Sequence, residues 1–221
     1  MERESTKFHN EREILALEKN FFGILLQFTE DKDEVRKRFK KLIDLYSQQE
    51  RHYHTLKHIQ AMLSFLGAHK EHIKNWSSVV MATWYHDATY DTRSKTNEEK
   101  SADLAAQDLQ ELRLPEDVID STKKLILATK RHELDETNPD SAIFLDADLS
   151  ILARPASVYD AYSENIRKEY GWVPEAEYRI GRKIVLESFL QRERIYFSPF
   201  MQNSDVIARE NITRELAKLS A

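Results

Sequence analysis

Apolar residues recur at intervals of three and four positions along most of the chain, which places them on one face of an α-helix. Stretches in which apolar and polar residues alternate strictly, as they would in a strand, are few. Glycine and proline are also scarce, with 4 and 5 occurrences. The pattern predicts an all-α fold of about nine or ten helices. The predicted segments are 11–29, 32–48, 55–68, 76–88, 96–112, 116–131, 140–153, 156–170, 175–192 and 204–219.

Several of these segments begin with recognisable helix-start signals. Thr96 is followed three residues later by Glu99, which is the pattern of a capping box. Four prolines each precede a helical pattern, as expected for proline in a first turn. They are Pro115, Pro139, Pro155 and Pro174. No internal repeat and no long linker divides the sequence, so a single helical domain is the simplest prediction.

Composition narrows the class of protein. Hydrophobic residues make up 41% and charged residues 32% of the chain, the balance of a globular protein. The formal net charge of −5 argues against nucleic-acid binding through bulk electrostatics. The chain lacks an apolar run of about 20 residues and an apolar signal core, so we expect neither a membrane span nor export. The absence of cysteine fits a cytoplasmic protein, and two glycines never stand at a phosphate-loop spacing.

Three apolar helical segments carry ionisable residues, which are costly to bury unless something compensates them. The pairs are His54 and His58, His86 and Asp87, and Asp146 and Asp148. A hydrogen bond or a helix cap would explain any one pair, but three pairs in one chain favour a shared partner. A divalent cation (Mn, Fe, Co, Ni, Zn or Mg) suits imidazole and carboxylate ligands. Because no HExxH motif is present, the ligands would have to converge from distant helices.

The order of these residues carries a family resemblance. A histidine precedes a His-Asp doublet by 28 residues, and an aspartate follows the doublet after 61. With the blocks RHYHTLKHI, YHDATYD, NEEKSA and FLDADLSIL, the chain resembles the HD superfamily of metal-dependent phosphohydrolases. It is most similar to a bacterial subgroup of predicted HD phosphohydrolases, through YSENIRKEY and ARENITREL as well. The resemblance implies one HD-type domain over residues 1–221, with a core of about 51–153 and terminal helices packed on it.

The resemblance also implies a set of metal ligands. They are His58, His86, Asp87 and Asp148, with positions left open for water and a substrate oxygen. His54 remains an alternative to the first ligand, and Asp146 an alternative to the last. The implied reaction is hydrolysis of a phosphoester in a small phosphorylated metabolite, such as a nucleotide, by metal-activated water.

Acid–base and phosphate-binding residues follow from the same comparison. Asp87, Asp91 and Glu98 are the candidate acids and bases. His132 is a candidate for phosphate contact or for a second metal, with Lys130 and Arg131 as its neighbours.

An anionic substrate also needs cationic side chains, for which arginine is suited. The candidates are Arg51, Arg167, Arg182 and Arg209. Tyr162, Tyr170 and Tyr178 could line a base or sugar pocket, although core packing explains each of them as well.

Other functions stay open at this point. Extra histidines such as His54 and His132 would suit a diiron HD oxygenase. A non-catalytic helical module that binds metal or nucleotide, or an interaction protein with hydrogen-bonded His and Asp, would also account for the pattern. The expected partner is a small phosphorylated substrate, and the sequence is compatible with a homodimer.

Overall fold

The computed structural model describes residues 11–220, and this part of the chain is all-α. It forms one helical domain of ten α-helices and three short 3₁₀ helices, with no strand among the described residues, which confirms the predicted fold class. The helices are α1 (Glu11–Leu25), α2 (Lys32–Tyr46), α3 (Leu56–Ala68), α4 (Trp76–Tyr85), α5 (Asn97–Glu111), α6 (Glu116–Ala128), α7 (Ser141–Leu149), α8 (Ala156–Glu169), α9 (Glu175–Leu190) and α10 (Ser204–Ser220). The 3₁₀ turns are Lys70–His72, Ser150–Ala153 and Pro199–Met201.

Polar side chains cap several of these helices. Asp31 accepts a hydrogen bond from a backbone N–H in the first turn of α2, Thr55 does so for α3, and Asn75 for α4. Each cap satisfies one of the four N–H groups that a helix start leaves without a partner.

The capping box predicted at the start of α5 does not form. Thr96 is the N-cap residue, but its side chain accepts no capping hydrogen bond. The carboxylate of Glu99 instead accepts a hydrogen bond from the Lys130 ammonium, 31 residues away in sequence. A long-range ion pair with Lys130 is therefore present where the pattern predicts local capping hydrogen bonds.

Three of the four prolines directly precede a helix, as predicted, although they lie at the N-cap and not within the first turn. Pro115, Pro155 and Pro174 occupy N-cap positions, one residue before the first turn. Pro139 precedes the N-cap residue of α7, Asp140. In both places the proline limits backward extension of the helix, because its ring disfavours a helical conformation of the residue before it.

Helix α4 runs through the larger of two hydrophobic cores. All of its residues from Ser78 to Tyr85 are buried, and Trp84 packs against Phe21 and Phe39 with ring centroids 5.2 and 5.7 Å away. A helix that is apolar all round is typical of a buried position. Burying each large side chain contributes roughly 1.5–3 kcal/mol, so the segment that leads to His86 is held rigidly.

A second, smaller core lies among α8, α9, α10 and the residues after α7. Helix α7 joins the two cores, since Phe144 belongs to the first and Leu149 to the second. Asp148 lies one residue before the second core, at the junction. None of the described helices is both long and apolar enough to cross a bilayer.

Candidate metal centre

Three donor atoms meet where α3, the end of α4 and α7 come together. The Nε2 atom of His58 lies 3.2 Å from Nε2 of His86 and 3.0 Å from Oδ1 of Asp148. The His86 Nε2 atom is 3.7 Å from the same carboxylate oxygen. These three residues, called the metal group below, could hold a metal ion, since their donor atoms all lie within 4.8 Å of one another.

Hydrogen bonds on the far side of each ring orient the two imidazoles. Nδ1 of His86 lies 2.9 Å from the carbonyl oxygen of Thr83, which can only accept, so this nitrogen carries a hydrogen. When the ring is neutral, its Nε2 lone pair therefore faces the metal group. Nδ1 of His58 contacts the Tyr53 hydroxyl at 3.2 Å. Outer contacts of this kind orient metal-binding histidines, so the donor set fits a divalent transition metal.

The pKa values reflect a pocket of strong negative potential. Burial lowers the pKa of His86, but the charge and hydrogen bond of Asp87, with smaller contributions from Asp148 and the Thr83 carbonyl, outweigh burial and raise the pKa to about 9. Burial also lowers the pKa of His58, and there the hydrogen bond to the Asp148 carboxylate does not make up the difference. Burial raises the pKa of Asp148, but hydrogen bonds with His132 and His58 bring it well below its usual value.

Asp87 adjoins the metal group. Its Oδ2 atom lies 3.0 Å from Nε2 of His86 and 3.9 Å from Nε2 of His54. Burial raises the pKa of Asp87, but the charges on His86 and His54 outweigh it and bring the pKa well below its usual value. Its carboxylate is not among the three donor atoms that lie within 4.8 Å of one another. Its predicted roles as ligand and as base both stay predictions.

His132 reaches the group from the opposite side. Its Nε2 lies 2.9 Å from Oδ2 of Asp148, so that carboxylate uses one oxygen for His58 and the other for His132. His132 has a φ of 48°, a left-handed conformation that is uncommon for a residue with a side chain. The guanidinium of Arg192 donates hydrogen bonds to the backbone carbonyls of His132 and Arg131, which holds this turn in place.

Glu169, which the sequence analysis did not single out, organises the segment before α3. Its Oε1 accepts the backbone N–H groups of His52, Tyr53 and His54. Its Oε2 lies 2.6 Å from Nδ1 of His54 and accepts a hydrogen bond from the Tyr90 hydroxyl. Burial raises the pKa of Glu169, but the charge on His54 and the hydrogen bonds from His54 and the backbone N–H groups together outweigh it and lower the pKa to about 2. In the sequence, nothing marked Glu169 except that it is an acidic residue near the end of the segment YSENIRKEY.

Arg51 binds backbone rather than an anion. Its side chain is 1% exposed, and its guanidinium donates to the carbonyl oxygens of His54, Asp87 and Ala88. The guanidinium therefore holds the His86–Asp87 doublet against the segment that leads to α3. These contacts make Arg51 a positioning residue for the metal group.

The other three arginines predicted to bind substrate also have their donors engaged elsewhere. Arg167 binds Glu175 and the carbonyls of Tyr170 and Val173. Arg182 binds Glu215 and Tyr162. Arg209 binds Asp205 and the carbonyls of Leu190, Arg192 and Glu193. The substrate-binding role predicted for the four arginines has no support in these contacts. Tyr178 packs under Arg167, with the guanidinium 4.5 Å from the ring centre, as the core-packing alternative expects.

The candidate acids Asp91 and Glu98 do not reach the metal group either. Asp91 is exposed, and its Oδ1 accepts the backbone N–H of Arg93. Glu98 is half-buried in the first turn of α5, and its carboxylate forms no hydrogen bond with the residues that the structure describes. Lys130 is engaged by Glu99 and the carbonyl of Lys95. His54, whose Nε2 lies 3.9 Å from Oδ2 of Asp87, is the titratable side chain from outside the metal group that pairs with the Asp87 carboxylate in the described chain.

The positions of the side chains distinguish Asp146 from Asp148, and His54 from His58, as members of the metal group. Asp146 is fully buried away from the group, where its oxygens accept the backbone N–H groups of Phe197 and Ser198 at 2.8 and 2.7 Å. Asp148 is the aspartate that faces the histidines. Similarly, His58 belongs to the metal group and His54 lies behind Asp87.

A second cluster that could hold a metal lies on the surface, where His69, Glu71 and His72 converge. Both imidazoles stack on the ring of Phe200, at centroid distances of 4.2 and 5.2 Å. The cluster is more exposed than the metal group, and its histidines provide a matched control for metal-binding experiments.

Comparison with known proteins gave no match: neither a protein-family model, nor a curated protein, nor a solved structure is similar to this chain at a significant level. The class that fold and site define is thus an all-α domain with a His/Asp cluster suited to a metal ion. The resemblance to the HD superfamily stays a prediction.

Proposed function

We propose that the protein is a divalent-metal-dependent phosphohydrolase of the HD type that acts on a small phosphorylated metabolite. The observation that carries this proposal is the convergence of His58, His86 and Asp148 from three different helices. The chain order of these residues was the basis of the family resemblance, and their spatial proximity is what a metal centre would require.

The exposure of the site supports catalysis over a purely structural metal. His58 and His86 form a buried floor, with side chains 3% and 1% exposed. Asp87 and His132 lie at the rim and are 19% and 22% exposed. A structural site has a full set of protein ligands, whereas a catalytic site keeps a position for water or substrate. Three close ligands beneath an accessible rim match the second arrangement.

When bound, a divalent cation would acidify water and neutralise charge on a phosphoryl oxygen. Glu169 fixes a hydrogen on Nδ1 of His54, which leaves Nε2 directed at the Asp87 carboxylate. This pair can take up and release a proton at the rim. His132, on the other side of Asp148, uses Nε2 for that carboxylate, so only the protonated ring can also donate a hydrogen bond to a phosphate oxygen.

A phosphate-release screen tests the proposal. Purified protein would be incubated with phosphorylated metabolites and Mn, Co, Ni or Mg, and nucleotide products would be followed separately because a diesterase releases no free phosphate. We expect hydrolysis of at least one substrate, abolished by His58→Ala and by Asp148→Asn. A His69→Ala/His72→Ala variant, which removes the surface cluster, should retain activity. Protein free of divalent metal, together with an Asp87→Ala variant equal to wild type on every substrate, would refute the proposal.

A two-metal oxygenase is the second candidate, and a specific observation favours it. Asp148 directs one oxygen to His58 and the other to His132, and Asp87 lies between His86 and His54. Carboxylates shared between two sets of histidines would suit two ions. Two irons per chain and substrate-dependent oxygen consumption would favour this reading, whereas one ion per chain and phosphate release would exclude it.

A further inference from the structure

A cavity of about 470 Å³ lies beside the metal group, within the range of small-molecule sites. It is enclosed by the loop that follows the His86–Asp87 doublet and by the turn between α8 and α9. No residue of the metal group lines it, and Tyr90 and Glu169 form the wall that faces His54.

A tryptophan on the turn presents a flat surface to this cavity. Trp172 is 49% exposed, which is unusual for so large an apolar side chain. Its indole N–H donates a 2.7 Å hydrogen bond to the Thr92 hydroxyl, and the Arg93 guanidinium lies 4.5 Å from the ring centre. The indole is therefore held in place at the cavity while half of its surface remains available.

The turn that carries Trp172 is built to a fixed shape. A side chain at Gly171 would place its Cβ 3.0 Å from the carbonyl oxygen of Lys168, so glycine permits the close approach. The Arg167 guanidinium then ties the turn together through the carbonyls of Tyr170 and Val173. One of the arginines predicted to bind substrate thus shapes the wall of this cavity.

Cationic groups of the cavity remain available, whereas two of its acids are engaged. Arg93 and Lys168 are exposed at the mouth, and neither forms an ion pair within the described residues. The buried Arg51 also lines the cavity, but its guanidinium is held by backbone carbonyls and is not accessible to a ligand. Glu169 is saturated by backbone N–H groups, His54 and Tyr90, and Asp91 accepts the N–H of Arg93.

We infer that this cavity binds a ribonucleoside monophosphate. Its base would stack on Trp172, its phosphate would be bound by Arg93 and Lys168, and Gln48 and Glu50, which also line the cavity, offer acceptors for the sugar hydroxyls. Aromatic rings accept every base by stacking, and exposed Arg and Lys side chains bind phosphate. The inference does not depend on the proposed hydrolysis, because no residue of the metal group takes part.

Isothermal titration calorimetry on the full chain tests this inference in the presence of a chelator, so that metal chemistry cannot contribute. AMP, GMP, CMP and UMP would each be titrated, with adenosine and inorganic phosphate as the two halves of the ligand. We expect at least one nucleotide to bind with a stoichiometry of one, and more tightly than either half. Trp172→Ala should weaken binding about ten-fold or more. Arg93→Gln should weaken it and reduce its dependence on salt.

A matched control is available at Trp76, whose ring has Lys70 at 4.9 Å in a comparable cation–π pair on another surface. Trp76→Ala should leave nucleotide binding unchanged. Because Arg93 is exposed, its variant tests the site even if Trp172→Ala fails to fold. The inference is overturned if none of the four nucleotides binds at millimolar concentration, or if binding survives both substitutions undiminished.

Discussion

The Nε2 atoms of His58 and His86 lie 3.2 Å apart. The other ring nitrogen of each imidazole, Nδ1, contacts an outer hydrogen-bond partner. Two neutral imidazoles cannot both direct lone pairs at each other without repulsion, so either a proton or a cation must lie between them. Oδ1 of Asp148 contributes a third acceptor at 3.0 Å from His58. This close approach of three acceptors is the strongest structural argument for a metal site in the described chain.

Divalent metal should therefore stabilise the native protein. A ligand that binds only the folded state adds about 2.7 kcal/mol at one hundred times its dissociation constant, so the melting temperature should rise with Mn or Co and fall on chelation. His58→Ala and Asp148→Asn should abolish the rise in differential scanning fluorimetry, whereas His69→Ala/His72→Ala should preserve it. An identical melting temperature with metal and with chelator in the wild type would contradict the metal site.

Glu169 should be important for the structure of the rim although it lies outside the metal group. Glu169→Ala leaves three backbone N–H groups, the Tyr90 hydroxyl and His54 without their acceptor, and each unsatisfied buried group costs about 1–3 kcal/mol. We expect a loss of several kcal/mol of unfolding free energy in urea. Glu164→Ala, at an exposed position of the same helix, is the matched control and should change stability little. Equal stabilities of the two variants would show that Glu169 does not hold this segment.

These contacts show which parts of the structure a sequence can predict. Periodicity located the helices because a helix face is a local property, repeated every three or four residues. Polar residues in apolar runs singled out the pairs that contain His58, His86 and Asp148, because burial of such groups is costly without a partner. The choice within each pair came from the family resemblance.

The partners of Arg51 and Glu169 could not be predicted from sequence patterns, because they are distant along the chain. Arg51 binds the carbonyl of Asp87, 36 positions away, and Glu169 binds His54, 115 positions away. Arginine at a phosphate and arginine at a backbone carbonyl have the same sequence pattern, since both need only its N–H donors. Only the packing of distant helices decides between them.

Acid should weaken the smaller core through Glu215. Its carboxylate is buried and pairs with Arg182 and the Tyr159 hydroxyl. Burial raises the pKa of Glu215, but the hydrogen bond and charge of Arg182, together with the hydrogen bond from Tyr159, outweigh it and bring the pKa below its usual value. A carboxyl group with a lower pKa in the folded state stabilises the protein above its unfolded pKa, and this contribution is lost as the pH falls through the folded value.

We therefore expect unfolding free energy, measured by urea at a series of pH values, to decrease below about pH 4.5. Glu215→Gln should remove part of this dependence and lower stability near neutral pH, because breaking a buried ion pair costs about 3–5 kcal/mol. The exposed Glu187→Gln variant should follow the wild-type curve. A Glu215→Gln curve that parallels the wild type at every pH would contradict this assignment.

Asp146 and Asp148, two residues apart, should respond to substitution in opposite ways. Asp146→Ala leaves the backbone N–H groups of Phe197 and Ser198 without an acceptor, so we expect a loss of about 2–6 kcal/mol in unfolding free energy. Metal affinity of the folded fraction should be retained, because Asp146 lies outside the metal group. Asp148→Asn should preserve the fold but reduce metal affinity sharply, since an amide oxygen is neutral and binds a divalent cation weakly. Urea unfolding and a metal titration on the same two variants measure both effects. The opposite result would contradict these roles. In that case Asp146→Ala, shown by circular dichroism to be folded, would lose metal binding, and Asp148→Asn would keep it.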